Sequence, residues 1–261
     1  MPHHPTQQAG DRPGDSLYRE APPPDDLAPL VACLWVRTVQ ETTHRARIVP
    51  DACLDLMWIT EGGRGRLVVA GPDTRAHITT LGPGTTIAGV RFAPGAATAV
   101  LGLPVDALRD ERPVLADLWG RSEAEQVATV VAAASRPERA LAEAVTARDT
   151  QRPDPAMRHV ARVLHDARHP APVRGLADEL GLSERQLHRR CTAAFGYGPK
   201  TLHRVLRFQR ALVQARAGRD LAGVAHECGY ADQPHLARDV LELAGTSLTT
   251  LLEGRGTGQA A

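Results

Sequence analysis

Between residues 33 and 92 apolar and polar positions alternate over six short runs: CLWVRTV, RARIV, LDLMWIT, GRLVVA, AHITT and TTIAGVRF. Breaks of the type PD, EGGR, GPD and LGPG separate them. A period of two with turn residues between runs predicts β-strands, and several short strands in succession predict a small barrel or sandwich. From residue 94 to 147 the pattern changes: Ala and Leu dominate, and PERALAEAVTARD predicts a helix. TQRPDP, at about 149–155, reads as a linker, and beyond it the chain is all helix and tight turn. Residues 1–24 are rich in Pro, Gly and charge and are expected to form a disordered leader, with a flexible tail at 254–261. The predicted fold class is therefore α+β and multidomain. A small β-rich domain with helices spans 25–150, and an all-α domain spans 154–253.

The helical third repeats itself. LADELGLSERQLHRRCTAAFGYGPKTL, from Leu176 to Leu202, aligns with VAHECGYADQPHLARDVLELAGTSLTTL, from Val224 to Leu251. Gly181 matches Gly229, and after the turn Leu187, Arg189, Gly196 and Leu202 match Leu236, Arg238, Gly245 and Leu251. Two copies are too few for a solenoid, so a pair of modules is expected. In each, a short amphipathic helix ends at a Gly, which enters the left-handed region at little cost. Ser183 and Asp232 then stand where N-caps of second helices belong. Spacing predicts that Leu187, Cys191 and Ala194, and likewise Leu236, Val240 and Leu243, face inward.

Each module thus reads as a helix-turn-helix, at about 173–195 and 221–244. Its second helix presents Arg185, His188, Arg189 and Thr192 in the first copy and Gln233, His235 and Arg238 in the second. Such side chains suit base edges in a major groove, where Arg can make two parallel hydrogen bonds to guanine. Two modules can address successive grooves about 34 Å apart. Between them KTLHRVLRFQRALVQARAG predicts a long helix, a stiff spacer on which Lys200, Arg204 and Arg207 are candidates for phosphate contact.

Charge agrees with a division of labour. Residues 1–150 carry 15 Arg and no Lys against 19 acids, net −4, whereas 151–261 carry 16 basic residues against 11 acids, net +5. Only the second part is expected to meet a polyanion. Cys33, Cys53, Cys191 and Cys228 are scattered, with no Cys-x-x-Cys pair, which argues against a zinc ribbon or a disulfide framework. No apolar run reaches membrane-spanning length and the first residues lack an apolar signal core, so a cytoplasmic location without membrane contact is expected.

At LADELGLSERQLHRR, GYGPKTLHRVLRFQRA and VAHECGYADQPHLAR the sequence resembles the AraC/XylS family of bacterial transcription regulators, over roughly residues 154–252. The resemblance implies a seven-helix domain whose two helix-turn-helix motifs bind double-stranded promoter DNA, with recognition positions at Arg185, Gln186, His188 and Arg189 in the first and Gln233, His235 and Arg238 in the second. There are departures. Cys191-Thr192 and Val240 stand where the family commonly has an aromatic followed by a basic residue. Glu242 adds negative charge, and TSLTTLLEG replaces a closing Pro and Arg. Fewer cations mean weaker phosphate anchoring, so the first reader is expected to dominate affinity.

IVPDACLDLMWI, GVRFAPGAA and VLADLWG resemble an uncharacterised sensor-like domain found ahead of such DNA-binding domains, and a cupin-like barrel is the implied fold. Trp35, Trp58, Arg91 and Phe92 are candidates for an effector pocket, with Arg91 anchoring an anionic group. Cys33 and Cys53 are candidates for oxidant sensing if close and exposed. Nucleophile elbows, zinc-protease His pairs and Walker loops are lacking, so no catalytic residue, metal or cofactor is expected. The function expected is promoter binding modulated by a small molecule, with RNA polymerase and a second copy of the chain as further partners. The alternatives are control by a protein partner, or a DNA-targeted repair or modifying enzyme, for which a reactive Cys cluster is missing.

Overall fold

The computed structural model describes residues 16–147, 152–167 and 173–253. Seven strands open the chain: β1 (Ser16–Ala21), β2 (Val31–Val39), β3 (His44–Ile48), β4 (Asp55–Glu61), β5 (Arg64–Ala70), β6 (His77–Leu81) and β7 (Thr86–Phe92). All six alternating runs form strands. Gly62 and Gly63, both at positive φ, make the two-residue hairpin turn between β4 and β5 where the break EGGR falls. β1 lies inside the stretch expected to be a disordered leader. SLYREA is short and polar, but it pairs antiparallel with β2 along its whole length, and local composition gives no sign of that long-range pairing.

The strands form one five-stranded sheet in the order β1-β2-β7-β4-β5 and a separate two-stranded ribbon of β3 and β6. The closed cupin-like barrel therefore does not form among the described residues: the ribbon hydrogen-bonds to neither edge of the sheet. Leu34, Leu56, Trp58, Ala88, Val90 and Phe92 point to one face of the sheet. There they pack with α1 (Ala97–Leu101), the 3-10 turn Val105–Leu108, α2 (Leu115–Trp119), α3 (Arg121–Ala133) and α4 (Pro137–Thr146). Cys33, Trp35, Ile59, Val68 and Ile87 occupy the opposite face, with Leu81 of the ribbon against them. This two-sided burial follows from the period-two alternation.

Seven helices follow: α5 (Pro155–Asp166), α6 (Val173–Glu179), α7 (Glu184–Phe195), α8 (Pro199–Arg216), α9 (Leu221–Glu227), α10 (Gln233–Ala244) and α11 (Leu248–Glu253). They build two cores that share α8. Leu202, Val205 and Leu206 join Met157, Val160, Leu176, Leu187, Cys191 and Phe195. One turn further on, Phe208, Ala211 and Leu212 join Val224, Cys228, Leu236, Val240 and Leu243.

A buried ion network locks α10 onto α8. Asp239, inside α10, accepts hydrogen bonds from Arg204 Nε at 2.5 Å, Arg207 Nη2 at 3.1 Å and the Tyr230 hydroxyl at 3.0 Å. Arg204 also reaches Glu242, and the Arg207 guanidinium lies over the Tyr230 ring at 4.1 Å. Burial, followed by the charge of Asp239, pushes the Tyr230 phenol upward, so it stays a hydrogen-bond donor. Removing one partner of such a network strands a buried charge. Asp239→Ala is expected to lower stability by about 3–5 kcal/mol in denaturant unfolding. Asp239→Asn, which keeps an acceptor, is expected to lose less. A loss well under about 1 kcal/mol for the alanine variant would show that apolar packing alone seats α10.

Candidate nucleic-acid interface

In the first module, α6 leaves its last turn through Gly181 at φ +64°, and the Leu182 amide donates back to Ala177 at 2.9 Å. Ser183 Oγ then accepts from the Gln186 amide at 3.2 Å while Gln186 Oε1 accepts from the Ser183 amide at 2.8 Å, a reciprocal capping box that fixes where α7 starts. The second module repeats the device. Gly229 stands at φ +77°, the Tyr230 amide donates to Ala225 at 2.8 Å, and Asp232 Oδ1 accepts from the His235 amide at 2.7 Å. Pro234 falls in the first turn of α10, where no amide hydrogen is needed. Both readers end on a left-handed Gly, at 196 and 245.

With Leu187, Cys191 and Ala194 buried, the outer face of α7 carries Arg185, His188 and Arg189, all exposed. Arg185 and Arg189 form no ion pair with any described residue, so both guanidinium groups are available to a ligand. Gln186 is exposed too, but its carbonyl oxygen serves the capping box. On α10 the exposed positions are Gln233, Pro234, Ala237, Arg238, Leu241 and Glu242. His235 is half-buried, edge-on to Tyr230 at 5.2 Å, with Nδ1 accepting from the Ala231 amide at 3.3 Å. It braces the turn and is drawn back from the open face. Ala237 and Leu241 were not anticipated as surface features. The signal was available, since they lie four and eight residues beyond Gln233 on one helical stripe.

The spacer arginines prove structural. Arg207 is only 8% exposed and committed to Asp239 and Tyr230, so it cannot reach a phosphate. Arg204 is bound by Asp239 and Glu242, and Arg210 donates to the backbone carbonyls of His165 and Ala167 at the end of α5. Lys200, at the start of α8, remains exposed. The pocket quartet is also divided. Trp35 and Arg91 face one side of the sheet, while Trp58 and Phe92 are buried in the core on the other. Arg91, 2% exposed, is already held by both oxygens of Asp55 at 3.1 and 3.2 Å and approaches Asp51 at 3.6 Å. Its charge is thus already paired within the sheet, although Nη1 lacks a hydrogen-bond partner and has only Glu20 nearby, at 3.9 Å. Cys33 and Cys53 are free thiols; burial pushes Cys33 up to about 12 and Cys53 well above its ordinary value, which suppresses the reactive thiolate.

The β-rich domain grips both readers at their C-terminal ends, where helix carbonyls lack internal partners. Arg109 Nε donates to Gly196 O at 2.6 Å, and Thr98 Oγ1 to Ala193 O at 3.2 Å, at the end of α7. Arg47 Nη1 donates to Ala244 O and the Ala76 amide to Leu243 O, each at 2.7 Å, at the end of α10. Between these points the segment joining β3 to β4 lies across α8. Val49 enters the core of the second module, Ala52 that of the first, and Pro50 O accepts from Gln209 Nε2 at 2.5 Å. Among the described residues no group of His, Cys, Asp and Glu is placed to hold a metal ion, and no helix is long and apolar enough to cross a membrane.

Residues 176–254 match the family model of a helix-turn-helix domain, and residues 19–113 match a domain of unknown function (DUF6597). No curated protein matches the chain. Among solved structures it is similar to the C-terminal domain of AraT, a response regulator from Geobacillus stearothermophilus, at 16% identity over 41% of this chain and 92% of that one, with a TM-score of 0.38. A probable AraC family transcriptional regulator from Rhodopseudomonas palustris CGA009 matches at 23% identity over 38% and 96%, with a TM-score of 0.34. Unsaturated fatty acid bound ToxT from Vibrio cholerae strain SCE256 matches at 10% identity over 96% and 99%, with a TM-score of 0.48. The chain carries an AraC-type helix-turn-helix domain, as found in DNA-binding transcription regulators, behind a β-rich domain of unknown function.

Proposed function

We propose that the chain is a sequence-specific transcription regulator whose readers α7 and α10 enter successive major grooves of promoter DNA, under control of the β-rich domain. The observation that carries this reading is the duplicated geometry. Two helices are started by the same kind of cap and ended by the same left-handed Gly, and they are seated on one continuous helix with polar side chains left open. Arg185 and Arg189, one turn apart on α7, supply the two free cations best placed for guanine edges. No catalytic step enters this reading.

Control is assigned to the β-rich domain because it holds both readers and the helix between them. A small molecule is the proposed input, with RNA polymerase as the partner that reads the output. A cleft of about 180 Å³ lies where α1, the start of α5 and α7 meet, lined by Gly95, Thr98, Met157, Arg190 and Ala194. It is smaller than the roughly 300–1,000 Å³ of ordinary ligand pockets. An effector would have to open the domain junction to use it.

Enrichment of bound fragments by the purified full-length protein, followed by footprinting, is expected to show two protected boxes about one helical turn apart. Arg189→Ala is expected to cost about 1–3 kcal/mol in a binding titration, with Arg185→Ala additive to it and Arg238→Ala less damaging. A footprint half that length, or one unchanged in the Arg185→Ala/Arg189→Ala double variant, contradicts the reading. Removing the grip with Arg47→Ala and Arg109→Ala together is expected to weaken binding to a two-box duplex by more than it weakens binding to a single box. Equal effects on both duplexes would show that the β-rich domain does not set the relation between the readers.

A further inference from the structure

The repeat alignment places Arg185, His188 and Thr192 of α7 opposite Pro234, Ala237 and Leu241 of α10, while Arg189 and Arg238 are retained. Three polar positions on the open face of the first reader are thus apolar on the second. Leu241 is 57% exposed, and Gln233, Pro234, Ala237 and Arg238 are exposed around it. Gln233, Ala237 and Leu241 recur every four residues and so share one stripe on the side of α10 turned away from its core. Leu241 takes no part in the core, which Leu236, Val240 and Leu243 already fill. The acid beside it, Glu242, is held by Arg204, which draws its charge toward α8.

A groove-facing stripe of one amide followed by aliphatic carbons is matched to a particular base-pair edge. Gln can pair with N6 and N7 of adenine, and small apolar side chains make favourable contact with the C5-methyl group of thymine. G·C pairs offer no methyl and would leave their polar edges unpaired against Ala237 and Leu241, a desolvation cost without return. We propose that the second reader recognises an A·T-containing box through thymine methyl groups laid against Ala237 and Leu241, with Gln233 on adenine, whereas the first reads guanine through Arg185 and Arg189. The operator is therefore chemically asymmetric, and its asymmetry orients the protein on the promoter. This inference rests on the reading of α7 and α10 as DNA readers.

Selection of duplexes from a random pool by the full-length protein, followed by thymine-to-deoxyuridine replacement in the selected site, tests it without altering the protein. Selection is expected to return one guanine-containing box and one thymine-containing box about a helical turn apart. Deoxyuridine in the second box, which removes only methyl groups, is expected to weaken binding about three- to tenfold. In the first box the replacement is expected to leave affinity within about twofold. Leu241→Ser, at an exposed position, is expected to bind the thymine and uracil duplexes nearly alike. A second box of G·C pairs, or full indifference of the wild-type chain to the methyl groups, overturns the inference while leaving two-groove binding intact. Absence of any enriched sequence overturns both.

Discussion

Because Leu202, Val205 and Leu206 belong to the core under α7, and Phe208, Ala211 and Leu212 to the core under α10, helix α8 cannot tilt against one reader without opening the core of the other. Its 18 residues span about 27 Å at the usual helical rise. Every other element of the DNA-binding part is referred to this rod. Arg210 ties it to the carbonyls that end α5, and Arg204 and Arg207 tie it to Asp239 inside α10. A buried ion network of this kind adds little net stability over an apolar core, but it tolerates only one register, because any slip strands a charge. Apolar packing supplies the adhesion and the network supplies the orientation.

The β-rich domain meets this frame at the point where orientation is decided. Residues 49–52 cross α8 between the two cores, and Ala52 holds φ at +64°, a conformation that a residue with a Cβ adopts only when its surroundings impose it. Within the same turn Asp51 approaches Arg91, whose nearest carboxylate partner, Asp55, also accepts from the Trp35 indole at 2.9 Å. Polar contacts thus lead from the face of the sheet that holds Trp35 to the segment that straddles the readers. Asp51 cannot move without carrying Ala52 with it, so the sheet and the segment across α8 are tied together.

Much of this was legible in the sequence. Period two gave the six strands, period 3.6 gave the helices, and Gly, Ser and Asp at the turns gave the start of each reader to the residue, because caps and left-handed glycines are local chemistry. What escaped was non-local. β1 exists because β2 offers a partner, and the barrel does not close because the β3–β6 ribbon pairs within itself. Trp35 and Trp58 look equivalent as aromatic residues in strands, yet register sends them to opposite faces. The arginines of α8 look like a basic rod until Asp239 and Glu242, more than thirty residues away in sequence, claim two of them. The grip of Arg47 and Arg109 on helix ends leaves no trace in local pattern at all.

The fate of those arginines changes how affinity has to arise. The net charge of +5 over residues 151–261 suggests a generous electrostatic attraction to phosphates. Yet Arg207 is buried on Asp239, the half-buried Arg204 and Arg210 are committed to carboxylates and helix-end carbonyls, Arg190 pairs with Asp154, and Arg219 pairs with Glu227. Non-specific affinity and its salt dependence scale with the phosphates actually neutralised, so that share falls to exposed cations outside these pairs, among them Arg158, Arg174, Arg185, Arg189, Lys200 and Arg238. Phosphate contacts carry no sequence information, so specificity has to come from base contacts, which tolerate little misplacement. A rigid α8 and a grip on the end of each reader supply that geometry in advance, sparing the ordering cost that flexible readers would meet on association. The internal use of these arginines and the clamping of the helices are thus two sides of one arrangement: some cations fix the frame, and the exposed ones are presented on a frame already fixed.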